Sequence, residues 1–260
     1  MTGSTLEVSA LDVRFGGVQA LAGVSFGVPE GAVVSLIGPN GAGKTTAFNA
    51  ITGYLAPTAG TVTFAGEPIA GLRPHQVARR GLVRTFQKTS LFAQVTVGEN
   101  VLMGLHLRGA SRLGAILLDL RRVRAEEARL REAAEEVMAF VGIAHRREEL
   151  AASLPYGEQR LLELAIALAA RPRMLLLDEP ASGMNPAEKE STMRLIGRIR
   201  DQGITVFLVE HDMRLVMGIS DRVLVLNHGQ LIAQGSPAEV RRDPAVIQAY
   251  LGGEGAGAPA

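Results

Sequence analysis

The chain has 260 residues, of which 47% are hydrophobic, and its formal net charge is +1. This length and composition allow one substantial hydrophobic core or two closely joined lobes. Binding a phosphate backbone needs a concentrated basic face, which the near-neutral charge does not suggest, so we expect no nucleic-acid partner. Because the chain has no cysteine, disulfides, thiolate catalysis and cysteine-ligated zinc are excluded.

The N-terminus, MTGSTLEVSALDVRF, carries neither a secretion-signal pattern nor a lipidation pattern. Crossing a bilayer takes about 20 mainly apolar residues. The best apolar runs are interrupted early, as Glu163 interrupts LLELAIALAA. We therefore expect a cytoplasmic chain whose contact with a membrane is peripheral.

The N-terminal part predicts strands around one helix. Residues Leu6 to Phe15 alternate loosely, and AVVSLI at 32–37 is typical of a buried strand. TTAFNAITGYL, which starts at Thr45, predicts a helix with a stop near Gly53. Residues 61–64 and the GEPI segment that follows predict a hairpin in an antiparallel sheet.

The middle of the chain differs from the last third. Between Leu91 and Leu154 a charged helical pattern predicts a separate helical lobe. After it, strand and helix patterns alternate, which predicts a parallel sheet with helices on both faces. The alternating segments are MLLLDEP, AEKESTMRLIGRIRDQG, ITVFLVEH, MRLVMGIS and DRVLVLN. No internal repeat is evident, and the small, polar residues 252–260 predict a disordered tail.

A complete G-x-x-x-x-G-K-[ST] loop lies between a predicted strand and a predicted helix. Its glycines let backbone N–H groups point at phosphate oxygens, and the helix N-terminus adds its positive dipole end. Lys44 is predicted to neutralise phosphate charge, and Thr45 to bind Mg²⁺. An incidental glycine-rich turn is disfavoured because the chain has only three lysines. The predicted nucleotide-binding residues here are Gly38, Pro39, Asn40, Gly41, Ala42, Gly43, Lys44, Thr45 and Thr46.

Two carboxylates follow the apolar run that begins at Met174. Asp178 is predicted to bind Mg²⁺ directly or through water. Glu179 is placed to accept a proton from the water that attacks the γ-phosphate, or to orient that water. The alternative role of Glu179 is that of a solvated carboxylate in a turn.

The segment LPYGEQR at 154–160 resembles the signature of ABC ATPases, usually written LSGGQ, at the family's spacing before the metal-binding strand. By this resemblance, Tyr156, Gly157 and Glu158 contact the nucleotide that the opposite subunit binds. A glycine-containing helix start is in general an anion site. Without the resemblance, the segment would be no more than the start of a helix.

Further matches follow the family's order. Gln87 in RTFQ resembles the Q-loop glutamine, which contacts metal or water and senses the γ-phosphate. His211 in LVEHD resembles the switch histidine, and Phe15 stands where the family places an aromatic that stacks on adenine. Residues 182–185 occupy the D-loop position. Each residue alone has a simpler explanation, such as a surface glutamine or a core phenylalanine, but the ordered set does not.

The resemblance covers Leu6 to Leu251 and is closest to the ATPases of branched-chain amino acid ABC importers. It implies an α/β fold of the P-loop NTPase (RecA-like) class, with a mainly parallel sheet, an antiparallel β subdomain and an inserted α-helical subdomain. We expect a nucleotide-binding core at 6–87 and 166–251 and a helical subdomain at 88–165. This branch also carries a long insert, here at 106–124. The narrower match lies in RFGGVQAL, ITGYLAPTAGTV, GLVRTFQKTSLFAQVTVGENVLMG, LPYGEQR and VEHDMRLVMGISDRVLVLNHGQLIAQGSP.

The resemblance implies ATP and Mg²⁺ as cofactors and a location at the cytoplasmic face of the inner (plasma) membrane. It also implies a second ABC ATPase subunit, identical or related, two transmembrane permease subunits and, indirectly, a periplasmic or extracellular solute-binding protein. The alternatives are an ABC ATPase for another cargo, such as lipopolysaccharide export, and a soluble ABC ATPase of DNA repair or translation. A P-loop kinase or GTPase is the third alternative, and LPYGEQ before LLLDEP argues against it.

Three residues depart from the family's common pattern. Pro155 replaces the signature serine, Tyr156 replaces the first signature glycine, and Asn185 stands where aspartate is commoner. Proline is acceptable in a first helical turn but removes a hydroxyl and an N–H that could reach phosphate. We therefore hypothesise that this signature is the weaker half of an asymmetric heterodimer.

Overall fold

A computed structural model of the chain describes residues 4–85, 91–106 and 120–251. Within these ranges ten strands form two sheets. The strands are β1 (Ser4–Phe15), β2 (Val18–Pro29), β3 (Val33–Ile37), β4 (Ala59–Phe64), β5 (Glu67–Pro68), β6 (Leu82–Arg84), β7 (Met174–Asp178), β8 (Thr205–Val209), β9 (Arg222–Asn227) and β10 (Gln230–Gly235).

The first sheet is antiparallel and has the order β2-β1-β4-β5. The predicted hairpin is confirmed, since Phe64 in β4 pairs with Glu67 in β5. Strand β2 has no counterpart among the predicted elements. Its residues do not alternate regularly between exposed and buried positions, because register shifts interrupt its pairing with β1.

The second sheet has the order β10-β9-β3-β8-β7-β6, and only the β9–β10 pair is antiparallel. Every residue of β3, β7 and β8 is buried, which is the reason that these strands read as unbroken apolar runs. Because β3, β6, β7 and β8 run in parallel, their carboxyl ends meet at one edge of the sheet. In sheets of this kind that edge is where ligands bind.

The described helices are α1 (Lys44–Ile51), α2 (Pro74–Arg79), α3 (Val97–His106), α4 (Leu120–Val141), α5 (Tyr156–Ala169), α6 (Pro186–Asp201), α7 (Met213–Ile219), α8 (Pro237–Val240) and α9 (Pro244–Leu251). Helix α1 is shorter than the predicted 45–55 element. It ends before Gly53, whose φ of +79° leaves the helical region. Among the described residues, none of the helices is both long enough and apolar enough to cross a bilayer.

The described residues form two compact units. Unit 1 comprises those up to Arg84, those at 173–182 and those from Lys189 onward, and it contains both sheets. Unit 2 comprises 85–172 and 183–188, and helices α3, α4 and α5 pack against one another in it. The predicted boundary at 165/166 falls inside the continuous helix α5. The compact units divide instead at 84/85 and at 172/173.

One hydrophobic cluster in unit 1 joins α1 to both sheets. The ring centroid of Phe207 in β8 lies 5.0 Å from that of Phe48 in α1 and 5.6 Å from that of Phe26 in β2. The expected α/β architecture, with a mainly parallel sheet, an antiparallel part and a helical part, is confirmed. Most of the expected insert, at 107–119, and the expected tail, at 252–260, lie outside the described residues.

Candidate functional site

The glycine-rich loop connects the end of β3 to the start of α1. Gly38 has a φ of +151°, and a Cβ atom there would lie 2.0 Å from the carbonyl oxygen of Leu226. Gly43, with a φ of +102°, is the N-cap of α1, and a Cβ there would lie 2.8 Å from the carbonyl oxygen of Ala20. Close backbone approach therefore requires glycine at both ends of the loop. The loop delivers the N-terminus of α1, a general phosphate site, to the sheet edge.

Lys44 folds back over this loop. Its Nζ donates hydrogen bonds to the carbonyl oxygens of Gly38, at 2.7 Å, and Pro39, at 2.9 Å. Burial lowers the pKa of Lys44, while the negative charges of Glu179 and Asp178 act in the opposite direction. Lys44 follows the end of β3, and Asp178 and Glu179 stand at the end of β7, so the parallel strand order places all three at the same edge of the sheet.

Asp178 is the last residue of β7 and is 4% exposed. Its Oδ2 accepts a hydrogen bond from Nη2 of Arg84, the last residue of the neighbouring strand β6, at 2.7 Å. The pair is an ion pair between two buried side chains. Motif reading did not identify Arg84, because the residue enters the site through strand pairing and not through sequence proximity to Asp178.

Glu179 follows directly and has a φ of +49°, which is uncommon for a residue with a side chain. Its N–H donates to the carbonyl oxygen of Val209, and its own carbonyl oxygen accepts from the N–H of Ser182. Its Oε1 lies 3.8 Å from Nδ1 of His211, whose side chain is 61% exposed. The strained backbone at Glu179 therefore directs a carboxylate towards the exposed histidine.

Glu210 is a second residue that motif reading missed, although it stands between Val209 and His211. It is 3% exposed, and its Oε1 accepts from the N–H of Ala181 while its Oε2 accepts from the N–H of His211. This carboxylate ties the turn after β7 to the segment after β8. The sequence signal that could have identified Glu210 is its position directly after an apolar strand and before His211.

The oxygen ligands that the site offers fit a magnesium ion. Asp178 supplies a carboxylate and Thr45, exposed at the start of α1, supplies a hydroxyl. Mg²⁺ is usually bound by one or two protein oxygens together with phosphates and water. In the part of the chain that the structure describes, no group of three or more His, Asp or Glu could hold a metal. Gln87, the other predicted metal ligand, lies outside the described residues.

An apolar surface lies on the strands beside the loop. Phe15, at the end of β1, is 51% exposed and pairs with Val18, which is 67% exposed. Strand β2 then passes the loop, since the carbonyl oxygen of Ala20 lies where a side chain at Gly43 would go. An exposed aromatic ring at this place suits stacking on a base.

The LPYGEQR segment lies in unit 2 and begins helix α5, with Pro155 as an N-cap that makes no side-chain cap bond. The phenol oxygen of Tyr156 accepts hydrogen bonds from Nε, at 3.1 Å, and Nη2, at 2.8 Å, of Arg160. Oε2 of Glu158 accepts from Nε of Arg146 at 2.9 Å. A Cβ at Gly157 would lie 2.8 Å from Oε1 of Glu188.

Residues 183–185 of the D-loop position pack on this helix start within unit 2. Gly183 has a φ of +76°, and a Cβ there would lie 2.8 Å from the ring of Tyr156. Asn185 Oδ1 accepts from the N–H of Glu188, and Glu188 Oε2 accepts from the N–H of Asn185. Asn185 thus caps helix α6. The residue that departs from the family pattern therefore has a structural role of its own.

The C-terminal helix α9 also reaches the loop. Burial raises the pKa of Tyr250, and a backbone hydrogen bond from Gly38 partly offsets this. A cleft of about 820 Å³ is lined by Pro39, Asn40 and Ala42 of the loop and by residues of β9, β10 and α9. Motif reading did not identify Tyr250, because nothing in its sequence neighbourhood points to the loop.

Lys44, Asp178, Glu179 and His211 are therefore brought together in unit 1, whereas Tyr156, Gly157 and Glu158 lie together in unit 2. The loop residues Gly41, Ala42 and Thr46 occupy the turn and the first helical turn, as predicted for a phosphate-binding loop. The roles assigned to all these residues remain predictions.

Comparison with known proteins shows similarity over nearly the whole chain and not only at the site. The family model described as "ABC transporter" matches residues 21–182, and the one described as "Branched-chain amino acid ATP-binding cassette transporter" matches 230–256. The high-affinity branched-chain amino acid transport ATP-binding protein BraF of Pseudomonas aeruginosa is 46% identical over 97% of this chain and 99% of its own length. The lipopolysaccharide export system ATP-binding protein LptB of Escherichia coli is 34% identical over 96% of this chain and 98% of its own.

Solved structures show the same likeness at the level of the fold. The crystal structure of a nucleotide-free ATP-binding cassette from an ABC transporter is 32% identical, covers 95% of this chain and 99% of that chain, and has a TM-score of 0.83. Another, in an ADP conformation, also has a TM-score of 0.83 and covers 96% of this chain and 100% of its own. Since the matched range contains the loop, both carboxylates and the LPYGEQR helix start, the chain belongs to the ABC transporter family of ATP-binding cassettes.

Proposed function

We propose that the chain is the ATP-hydrolysing subunit of an ABC importer for branched-chain or other hydrophobic amino acids. The observation that carries the hydrolytic part is the convergence of Lys44, Asp178, Glu179 and His211 at one edge of a parallel sheet. Family membership supports ATP as the substrate. The cargo rests on the C-terminal match at 230–256 and on relatives such as BraF.

The loop would bind the phosphates of ATP. Backbone N–H groups of the loop and the N-terminus of α1 attract phosphate oxygens. Lys44 would exchange its bonds with the carbonyl oxygens of Gly38 and Pro39 for bonds to the β- and γ-phosphates. The exposed ring of Phe15 would stack on adenine. Mg²⁺ bound by Thr45 and Asp178, with Gln87 as a further ligand, would neutralise charge on the phosphate oxygens.

Glu179 would act as the general base or orient the attacking water, since its carboxylate stands at the strand end beside the loop lysine. His211, held by the backbone contact with Glu210, would contact the γ-phosphate. The backbone hydrogen bonds that join Glu179 to Val209 and Ser182 would keep the carboxylate in place without reorganisation during the reaction. These residues together supply a proton acceptor, a charge clamp and an orienting group.

We also propose a complete assembly. One loop and one signature per chain would require a second ABC ATPase subunit, identical or related, so that Tyr156, Gly157 and Glu158 reach the nucleotide bound by the partner. The helical unit would dock on two transmembrane permease subunits at the cytoplasmic face of the inner membrane. A periplasmic or extracellular binding protein would deliver the cargo. The limits 6–87, 88–165 and 166–251 remain our proposal for the functional division.

A second candidate cargo comes from the likeness to LptB, an ATPase named for lipopolysaccharide export. The identity to that protein is 34%, against 46% to BraF, and the C-terminal family match names branched-chain amino acids. Co-purification from membranes, with the partner chains identified, separates the two. Permeases of the branched-chain type would support the first proposal.

The Glu179→Gln variant tests the chemical assignment. We expect it to bind ATP as the wild type does, to hydrolyse ATP about 100-fold more slowly or worse, and to accumulate as an ATP-bound dimer, because the amide cannot accept the proton. Steady-state phosphate release and light scattering after chromatography measure these properties. Glu190→Gln is the matched control, since Glu190 is an exposed carboxylate paired with Arg194 on α6. Near-normal turnover by the Glu179 variant would remove Glu179 as the general base.

A further inference from the structure

The contact between Arg84 and Asp178 joins the ends of two neighbouring parallel strands. Both side chains are almost fully buried, at 7% and 5% exposed, and Nη2 of Arg84 lies 2.7 Å from Oδ2 of Asp178. The strand pairing fixes this arrangement, since Arg84 in β6 is in register with Leu176 in β7. Arg84 thus occupies one oxygen of the carboxylate that is proposed to bind the metal.

Arg84 is also hydrogen-bonded to helix α1 and to the residue that follows it. Its Nη1 donates to Oδ1 of Asn49 at 2.7 Å and to Oγ1 of Thr52 at 3.3 Å. The guanidinium carbon lies 5.5 Å from the ring centroid of Phe48. A planar group held on both of its ends cannot swing away from Asp178 without breaking these contacts.

This geometry places a permanent positive charge at the metal ligand. A guanidinium does not lose its proton in proteins, so the charge cannot be removed by titration. A divalent cation bound to Asp178 would lie beside that charge, and repulsion between charges in buried surroundings is strong. The phosphates of a nucleotide supply the negative charge that offsets this repulsion.

We propose that Arg84 is the resident counter-ion of Asp178 and prevents the nucleotide-free chain from holding a divalent cation, so that the metal enters together with the nucleotide phosphates. Arg84 is a positioning residue, because it acts on the metal through Asp178. The inference rests on the proposed role of Asp178 as a metal ligand. It adds a reason for the order of binding, since between turnovers the buried carboxylate keeps a charged partner.

The test is a titration of the nucleotide-free, full-length chain with Mn²⁺, followed by electron paramagnetic resonance of the free ion. The wild type is expected to bind Mn²⁺ weakly. Arg84→Met and Arg84→Gln remove the charge and are expected to bind one Mn²⁺ at least tenfold more tightly. Arg84→Lys keeps the charge and is expected to bind as weakly as the wild type. Adding Asp178→Asn to Arg84→Met should abolish the gain.

The control breaks a matched ion pair elsewhere. Arg160 and Glu163, at 7% and 9% exposed, form a pair of similar burial in helix α5. Arg160→Met is expected to lower the melting temperature without changing Mn²⁺ affinity, which separates loss of stability from release of Asp178. Circular dichroism of each variant establishes that it is folded.

Three results overturn the proposal. They are tight one-to-one Mn²⁺ binding by the nucleotide-free wild type, unchanged or weaker binding by the neutral variants, and equal gains in Arg84→Lys and Arg84→Met. The wild-type titration decides even where a neutral variant does not fold. Any of these results, obtained with a wild type that hydrolyses ATP, removes the counter-ion role and leaves the proposed function standing. A wild type that hydrolyses no ATP even when assembled with its partner subunits contradicts the proposed function instead.

Discussion

At the scale of single residues, the loop shows why glycine positions are not equivalent. Gly38 and Gly41 both have positive φ, +151° and +78°. A Cβ at Gly38 would meet the carbonyl oxygen of Leu226, whereas a Cβ at Gly41 has nothing within 4 Å. The first glycine is required by packing as well as by conformation, and the second by conformation alone.

This difference predicts unequal costs of substitution. Gly41→Ala should lower the free energy of unfolding by about 1–2 kcal/mol, the cost of a left-handed residue with a side chain. Gly38→Ala adds overpacking against backbone and should cost roughly 1–3 kcal/mol more. Urea denaturation of the two variants measures both values. Equal costs would mean that the backbone near Leu226 moves aside freely.

The site residues that the sequence predicts are those that belong to a recognisable short motif. Lys44, Asp178, Glu179 and His211 stand in short patterns, and the structure brings them together. Arg84, Glu210 and Tyr250 reach the same edge through strand pairing, a turn contact and a C-terminal helix. No local pattern marks Arg84 and Tyr250, because their contacts are made with residues far away in the chain, whereas Glu210 stands directly before His211.

At the scale of elements, helix α7 positions the segment that carries His211. Its N-cap is Asp212, whose Oδ1 accepts from the N–H groups of Arg214 and Leu215. Oδ2 of the same carboxylate accepts from Nζ of Lys189 in α6 at 2.9 Å. One carboxylate therefore begins α7 and joins it to Lys189 of α6, and this contact lies within unit 1.

Two substitutions at Asp212 separate these contributions. Asp212→Asn keeps a capping side chain and should lose only the partly exposed ion pair, about 0.2–1 kcal/mol at pH 7. Asp212→Ala also loses the cap and should cost roughly 1 kcal/mol more. Thermal or urea unfolding at pH 7 measures both. An alanine variant as stable as the asparagine variant would contradict the capping role.

The pH dependence of this contribution has a definite sign. The hydrogen bond from Lys189, followed by the backbone bonds from Leu215 and Arg214, lowers the pKa of Asp212 below its ordinary value of 3.8. A depressed folded-state pKa stabilises the fold fully above that ordinary value and loses the contribution as pH falls through the folded-state pKa. The stability difference between wild type and Asp212→Asn should therefore shrink only below about pH 4. A difference that vanished near pH 6 would indicate another titrating group.

Element boundaries were predicted less well than element types. The strands at 33–37, 174–178, 205–209 and 222–227 match apolar runs, because buried strands of a parallel sheet are apolar on both faces. Strand β2 was not predicted, since it is partly exposed and irregularly paired. Short strands such as β6 depend on a neighbour for their existence and carry little pattern of their own.

At the scale of the whole molecule, the two halves of the proposed composite site belong to different units of one chain. The signature helix starts with Pro155, which provides neither a hydroxyl nor a side-chain cap. A composite site built from this signature and the loop of a related partner should therefore be the less active of the two sites in a heterodimer.

The assembled transporter tests this asymmetry. Glu179→Gln in this chain disables the site that uses the partner's signature, and it should reduce ATP turnover more than the equivalent change in the partner. Pro155→Ser should raise turnover in the transporter that keeps only the site with this signature, because a hydroxyl and an N–H are restored. Phosphate release by the purified assemblies measures both. Equal losses from the two glutamate changes would contradict asymmetry.

The sequence by itself determined the phosphate loop, the two carboxylates at the end of β7, the histidine after β8, the family and the α/β class. These follow from short motifs and from apolar runs, which are local properties of the chain. Only the tertiary structure decided which charges meet at the sheet edge. It paired Arg84 with Asp178, tied Glu210 to the turn after Glu179 and brought Tyr250 to Gly38. The physical reason is that burial and strand register join residues across long sequence separations, and a buried charge such as that of Asp178 needs a partner because water no longer solvates it.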